Sequence, residues 1–234
     1  MNILFTRPLI DTEDLMKRFF SMGHKIIHLP TLKISPIKMK PIDPKNFDAF
    51  VFTSANSIRN LKILKQKKII CFCVGIMTEK IARQSGFTET LSAGGTVNAL
   101  KNLIINSNKI DKQSNIAYFC GDNVSSDLEK DLKKEGLKVK KIINYTSEKI
   151  LDLSNENKEM IKNYPPDLVF IYSTRSAESF VKIIKNYSLY PLMTGSTVMC
   201  ISKKVAKVFE IEGWKKIETF NAGEEILKLN NLIK

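Results

Sequence analysis

The sequence predicts an α/β protein made of two similar three-layer domains, each with a parallel sheet covered by helices on both faces. Three observations support this prediction. Short apolar runs alternate with segments whose apolar residues recur at helical spacing, which is typical of β-α-β units. The two halves of the chain match each other in order. The length of 234 residues also suffices for two domains, since domains commonly have about 100 to 150 residues.

The internal repeat consists of four weak matches between strand-and-helix segments, all in the same order. The matched segments are 3–32 with 116–145, 50–61 with 169–180, 73–87 with 200–214, and 91–104 with 219–233. In the second pair Ser54 aligns with Ser173, and Ser57 aligns with Ser176. Each half is therefore expected to build the same kind of sheet through right-handed crossovers.

The first β-α-β unit begins with a strand at residues 3–5 and continues into a helix. Asp11 or Thr12 is the predicted N-cap, and Gly23 is the predicted C-terminal stop. The segment KIIHLP, residues 25–30, is the predicted second strand. The helix residues predicted to be buried are Leu15, Met16, Phe19 and Phe20.

Later segments supply the central strands of each sheet. DAFVFTS (48–54) and DLVFIYS (167–173) are almost continuously apolar before they reach Ser54 and Ser173. Such runs are typical of parallel strands that are buried on both faces. They are therefore predicted to lie in the middle of their sheets.

Composition excludes several classes of protein. No stretch approaches the roughly 20 apolar residues that a membrane span needs, and the N-terminus lacks a secretory signal, so a cytoplasmic protein without a membrane segment is expected. Four cysteines lie in apolar segments and are expected to be reduced and buried: Cys71, Cys73, Cys120 and Cys200. His24 and His28 would lie about 13 Å apart on a strand, so no metal site is expected.

The charge indicates an anionic partner without identifying it. Lysine and arginine number 37 against 24 acidic residues, a formal net charge of +13. Such a field attracts nucleic acid, an anionic surface or a polyanionic small molecule, although background codon bias would produce the same lysine excess. The lysines are spread along helices, as in LEKDLKKEG (128–136), without arginine forks or aromatic platforms. Nucleic acid is therefore not the expected partner.

Polar and glycine-containing loops follow the predicted strands. In open parallel sheets the ligand site lies beyond the carboxyl ends of the strands, where helix N-termini present N–H groups. Each loop taken alone is better explained as a capped helix start. Two such rims facing one another would line a cleft suited to carboxylates or phosphates, and no GxGxxG or GxxxxGK[ST] motif supports a nucleotide site. The loops are 6–8, 53–56, Gly75, 121–123, 173–176 and 202–203.

Six segments together resemble the uroporphyrinogen-III synthase family. The resemblance runs from residue 3 to about residue 225 and rests on the order and spacing of the segments. These segments are ILFTRP, FVFTSANSIRNL, CVGIMTEKIARQSGF, the CGDN loop, INYTSEK and DLVFIYSTRSAESF.

The resemblance implies an enzyme that takes hydroxymethylbilane, a linear tetrapyrrole with carboxylate side chains, expels water and closes the macrocycle with ring D inverted. It implies a lyase with no cofactor and no metal, acting as a monomer in haem biosynthesis and in transient contact with the enzyme that forms its substrate. The alternative is a non-catalytic tetrapyrrole or anion-binding sensor of the same fold.

The resemblance also implies that the first β-α-β unit is swapped into the domain built by the C-terminal half. Domain 1 would comprise residues 1–34 plus 148–234, and domain 2 would comprise residues 40–143. Residues 35–39 and 144–147 would then be two connectors, which together would act as a hinge.

Site residues follow from the same resemblance. Tyr145, in INYTSEK, aligns with the family's tyrosine and is the candidate proton donor; the alternative is a connector tyrosine that packs against a domain. Thr78 is equally explained as a helix cap. Where the family has a Gly-x-x-Thr-like turn, this chain reads ISKKVAK, and its lysines would contact substrate or mark an exposed helix start. The substrate-binding candidates are Arg7, Ser54, Asn56, Gly75, Thr78, Gly121, Ser173, Thr174, Ser202 and Lys203.

Overall fold

The computed structural model describes residues 1–63 and 68–233. Its contacts divide the chain into two compact units. Unit 1 comprises residues 1–33 and 148–234, and unit 2 comprises residues 34–147. The first β-α-β segment thus belongs to the same unit as the C-terminal part of the chain.

Strands and short helices alternate along both units. The strands are β1 (Asn2–Phe5), β2 (Lys25–His28), β3 (Leu32–Pro36), β4 (Ala49–Phe52), β5 (Ile70–Cys73), β6 (Thr90–Ser92), β7 (Asn115–Gly121), β8 (Lys138–Lys149), β9 (Leu168–Ile171), β10 (Thr197–Cys200) and β11 (Ile217–Thr219). The helices are α1 (Leu9–Ser21), α2 (Ala55–Arg59), α3 (Ile76–Gln84), α4 (Val97–Ile105), α5 (Leu128–Lys134), α6 (Asn155–Asn163), α7 (Thr174–Asn186), α8 (Tyr190–Met193), α9 (Lys203–Ile211) and α10 (Glu225–Ile233).

The sheet of unit 1 has the order β11-β10-β9-β1-β2, and its neighbouring strands are parallel. Leu4 and Val169 face a core formed with α6, α7 and α9. Ile3 and Phe170 face the opposite core, formed with α1 and α10. Side chains that alternate between two cores are expected of a strand covered on both faces.

The sheet of unit 2 has the order β3-β8-β7-β4-β5-β6. The pairs β4–β5, β4–β7, β5–β6 and β7–β8 are parallel. Val51 and Tyr118 face a core shared with α4 and α5, whereas Phe52 and Phe119 face a core shared with α2 and α3. The predicted α/β class with parallel sheets is confirmed for each unit.

Two details of the first predicted helix are wrong. Helix α1 begins after Pro8, whose φ of −52° suits a helix start, so Asp11 and Thr12 lie inside the helix rather than at its N-cap. Phe20 is 71% exposed, whereas its neighbour Phe19 is fully buried. The predicted C-terminal stop is confirmed, because Gly23 has a φ of +84°, a conformation that glycine adopts readily.

The segments predicted as connectors lie in unit 2. Ser35 belongs to β3, and residues 144–147 belong to the neighbouring strand β8. The Thr146 hydroxyl donates a hydrogen bond to the Ser35 carbonyl at 3.4 Å. The chain passes between the two units at residues 33–34 and 147–148.

Residues 1–63 and 68–233 contain neither a candidate membrane helix nor a candidate metal cluster. No helix in these ranges combines the length and the hydrophobicity that crossing a membrane requires. No group of three or more histidine, cysteine, aspartate or glutamate side chains in the same ranges is placed to hold a metal ion.

The four cysteines are expected to resist alkylation in the folded protein. All four are free and buried, and burial raises the pKa of Cys73 and of Cys200 to about 12. At pH 8 the reactive thiolate should therefore be about 10³-fold scarcer than for an ordinary cysteine. Timed iodoacetamide labelling read by mass spectrometry should show slow reaction of the folded chain and rapid reaction in urea. Rapid labelling of any cysteine in the folded chain would contradict this expectation.

Candidate active site

The carboxyl ends of β4, β5 and β7 meet at one edge of the unit 2 sheet. The parallel register pairs Phe52 with both Cys73 and Phe119, so the loops that follow these strands start side by side. Five predicted substrate-binding residues lie at the end of one of these strands, in the loops or in the first turn of the helix that follows: Ser54, Asn56, Gly75, Thr78 and Gly121.

Ser54 begins α2 as its N-cap. Its Oγ accepts a hydrogen bond from the Asn56 backbone N–H at 3.2 Å, and the Asn56 Oδ1 accepts one from the Arg59 guanidinium at 2.9 Å. Both side-chain oxygens therefore have partners within α2 and its cap. The Ser54 hydroxyl still has its own proton to donate to a carboxylate.

Gly75 and Thr78 have different surroundings at the start of α3. Gly75 is the N-cap, and a Cβ at residue 75 would lie 3.3 Å from the Cα of Gly95. Because Gly75 has no side chain, the loop after β5 can approach the loop after β6, which contains Gly95, closely. Thr78 is the third residue of α3 and is only 6% exposed, so its alternative interpretation as the helix cap is wrong.

The ring of Tyr145, in β8, lies against Gly121 at the end of β7. A Cβ on residue 121 would lie 2.5 Å from Cε2 and 2.6 Å from Cζ of Tyr145, far inside van der Waals contact. Glycine at position 121 is therefore required for this ring position. Tyr145 remains 9% exposed, and the structure places it beside a predicted substrate-binding residue.

Tyr118 is a buried hydroxyl near Tyr145 that the sequence analysis did not single out. Its hydroxyl is 3.3 Å from the Thr53 hydroxyl. Burial raises the pKa of Tyr118 far above its usual value, and the neighbouring Cys120 and Tyr145 add to this rise. The phenol therefore stays protonated near neutral pH. Its position within the apolar strand β7 gave no sequence signal that separates it from an ordinary core tyrosine.

The remaining substrate-binding candidates lie at the carboxyl ends of strands in unit 1. Ser173 caps α7 and Ser202 caps α9, accepting hydrogen bonds from the backbone N–H groups of residues 176 and 205. Thr174 and Lys203 are the first residues of these helices, and Lys203 is exposed. This agrees with an exposed helix start for the ISKKVAK segment.

Arg7, which follows β1, lies over an aromatic ring that the sequence analysis did not predict to be part of the site. Its Cζ is 4.6 Å from the centroid of the Tyr172 ring, a cation–π geometry. Burial and then the buried carboxyl of Glu225 raise the pKa of Tyr172 well above its ordinary value, while Arg7 lowers it. The ring thus orients a guanidinium at the carboxyl edge of this sheet. The only sequence signal was the position of Tyr172 directly before Ser173.

A comparison with protein-family models matches residues 13–221 to the family described as uroporphyrinogen-III synthase HemD. The chain belongs to the uroporphyrinogen-III synthase family. The match includes Tyr145 and Gly121, whereas Arg7 lies outside it. Membership makes the chain an enzyme of tetrapyrrole biosynthesis.

Solved structures agree with this family in fold. The chain resembles the crystal structure of uroporphyrinogen-III synthetase from Helicobacter pylori, with a TM-score of 0.64 at 16% identity, covering 100% of this chain and 99% of that one. It also resembles a mutant uroporphyrinogen III synthase from the extremely thermophilic bacterium Thermus thermophilus, with a TM-score of 0.57 at 12% identity, covering 100% of this chain and 97% of that one. No match was found among proteins of curated function.

Proposed function

We propose that this synthase-family chain is a cofactor-independent lyase that converts hydroxymethylbilane into uroporphyrinogen III. The family match over residues 13–221 carries the proposal. The net charge of +13 suits a substrate with eight carboxylates. The proposal requires little covalent chemistry from the protein, because the pyrrole rings of the substrate are themselves electron-rich.

The first step in this proposal is departure of the hydroxyl from the hydroxymethyl group of the bilane. The Tyr145 hydroxyl donates a proton to that oxygen, the C–O bond breaks, and water leaves behind a cation delocalised over the pyrrole. The position of Tyr145 against Gly121, at the carboxyl edge of the unit 2 sheet, supports this role. General acids of this kind contribute about 10²- to 10⁴-fold.

The later steps depend on the conformation of the substrate. The substituted carbon of ring D attacks the cation and forms a spiro intermediate, which fragments and recloses with ring D inverted. Loss of a ring proton then restores the aromatic pyrrole and balances the proton donated by Tyr145. Because unassisted closure joins the nearest free position without inversion, the protein acts mainly by positioning the bilane.

The carboxylates of the bilane provide the points of attachment for this positioning. We assign their binding to cap hydroxyls and backbone N–H groups at the strand ends, to Lys203 and to the Arg7 guanidinium. Arg7 is suited to this task because a guanidinium pairs with a carboxylate through two parallel hydrogen bonds. The contact of Arg7 with the Tyr172 ring at 4.6 Å restricts the directions in which the guanidinium N–H groups point.

The isomer of the product tests this function. Hydroxymethylbilane would be generated in the same reaction by the enzyme that forms it, and the products would be oxidised to porphyrins and separated by chromatography. The type III isomer should predominate when the chain is present, and the type I isomer should predominate without it or with heat-inactivated chain. Binding of the bilane with only type I product would indicate the non-catalytic sensor instead.

A further inference from the structure

The parallel pairing of β7 with β8 contains an irregularity beside Tyr145. The two strands pair residue by residue from Asn115 with Lys138 to Cys120 with Ile143. The next pair is Gly121 with Tyr145, so Asn144 is an extra residue on β8. An extra residue of this kind is a β-bulge, and bulges reorient side chains next to active sites.

The bulge determines which residue of β7 lies beside Tyr145. If the register did not shift, Asn144 would pair with Gly121, and Tyr145 would lie opposite the next residue, Asp122. With the shift, the Tyr145 ring lies against Gly121, where a Cβ would be 2.5 Å from the ring.

Asn144 attaches the bulge to helix α2. Its side chain is fully buried, and its Nδ2 donates a hydrogen bond to the backbone carbonyl of Ser57 at 2.6 Å. Ser57 is itself fully buried, and its hydroxyl donates to the Ser54 carbonyl at 2.6 Å. The extra residue is therefore connected to the helix that begins at the predicted substrate-binding loop.

Asp122 attaches to β8 at the same tyrosine and two residues after it. Its backbone N–H donates to the Tyr145 carbonyl at 3.0 Å. Its Oδ1 accepts a hydrogen bond from the Ser147 backbone N–H, also at 3.0 Å. Together with the bond of the Asn144 side chain, these bonds attach β8 at residues 144, 145 and 147.

We propose that Asn144 is a positioning residue for Tyr145: its bond to Ser57 holds the bulge that points the phenol toward the reacting hydroxyl of the substrate. Asp122 supplies the second attachment. This inference rests on the proposed role of Tyr145 as the proton donor. It assigns no substrate contact to Asn144, which acts only through the tyrosine.

A double-mutant cycle tests the proposal. Asn144→Ala should lower kcat about 10- to 100-fold, since a misplacement of about 1 Å can cost about 10²-fold. In a Tyr145→Phe background the same substitution should lower kcat by no more than about 2-fold, because the group that it positions is already gone. An equal loss in both backgrounds, or no loss in either, would overturn the role of Asn144.

Ser196→Ala is the matched control. Ser196 is also buried, and its hydroxyl donates to the Pro166 carbonyl at 2.5 Å before β10 in unit 1. This variant loses a buried hydrogen bond that does not involve Tyr145. Its kcat should stay within about 2-fold of the unmodified chain, whereas a loss as large as that of Asn144→Ala would overturn the proposal by indicating general destabilisation.

Asp122 provides a second pair of variants in case Asn144→Ala does not fold. Asp122 is exposed, so its substitution should leave the fold intact. Asp122→Ala removes the acceptor for the Ser147 N–H and should lower kcat in the same Tyr145-dependent way. Asp122→Asn retains an oxygen acceptor and should keep most of the activity. Equal losses of kcat in Asp122→Ala and Asp122→Asn would overturn the role of Asp122 as the second attachment of the bulge.

The position of the ring can also be measured without turnover. In chain labelled with 3-fluorotyrosine, the fluorine resonance that disappears in Tyr145→Phe belongs to Tyr145. That resonance should shift or broaden in Asn144→Ala and stay unchanged in Ser196→Ala. An unchanged resonance in a folded Asn144→Ala protein would contradict the positioning role.

If Tyr145→Phe instead retains full kcat, the proton-donor assignment fails, and the positioning role in catalysis fails with it.

Discussion

Replacing Tyr145 with phenylalanine is expected to lower kcat about 10²- to 10⁴-fold while the product remains the type III isomer. The substitution removes the proton donor but keeps the ring that packs against Gly121. The carboxylate contacts that shape the bilane are unaffected, so KM and the direction of ring closure should change little. Steady-state kinetics combined with isomer analysis measures all three quantities.

Tyr164→Phe is the control for this prediction. Tyr164 lies at the C-terminal end of α6 in unit 1 and is 42% exposed. Loss of its hydroxyl should leave kcat unchanged. A Tyr145→Phe enzyme that retains the full rate would remove Tyr145 from the mechanism, and a product dominated by the type I isomer would instead indicate that the hydroxyl helps to shape the substrate.

Phe19→Ala is expected to destabilise unit 1 by about 3–5 kcal/mol, the usual cost of removing a fully buried aromatic side chain. Phe19 packs against Phe5 and Phe170, with ring centroids 5.5 and 5.8 Å away. Its removal would leave a cavity between α1 and the sheet. Urea unfolding followed by tryptophan fluorescence measures the change, since the single tryptophan, Trp214, is buried in unit 1.

The next residue provides the matched control for that measurement. Phe20 has the same side chain on the same helix but is 71% exposed. Phe20→Ala should therefore change the free energy of unfolding by no more than about 0.5 kcal/mol. Similar losses for the two variants would contradict the packing of α1 described above.

The α/β class could be predicted because its determinants are local in the sequence. Continuous apolar strands such as β4 and β9 and the helical spacing of apolar residues are properties of short segments. The start and the buried face of α1 were less predictable. Pro8 competes with Asp11 and Thr12 as a start signal, and hydrophobicity alone does not distinguish Phe19 from Phe20 when both fall near the apolar stripe of the helix.

The candidate site was predictable in its loops but not in its side-chain geometry. Ser54 and Ser173 follow buried strands, so their location at the carboxyl edges follows from the parallel arrangement. The contact between Tyr145 and Gly121 depends on the bulge at Asn144. A bulge is a property of strand pairing between distant segments, and neither strand alone carries a pattern that specifies it.

The place of β1 between β9 and β2 in the unit 1 sheet has a consequence for how the protein is synthesised. The segment that carries Ile3 and Phe5 is translated before unit 2, whereas β9 is translated only after all of unit 2. At translation speeds of about 5–20 residues per second, unit 2 can complete its own sheet while β1 still lacks its neighbour β9. The nascent chain thus exposes an apolar strand edge for several seconds, a period in which chaperones would protect it from aggregation.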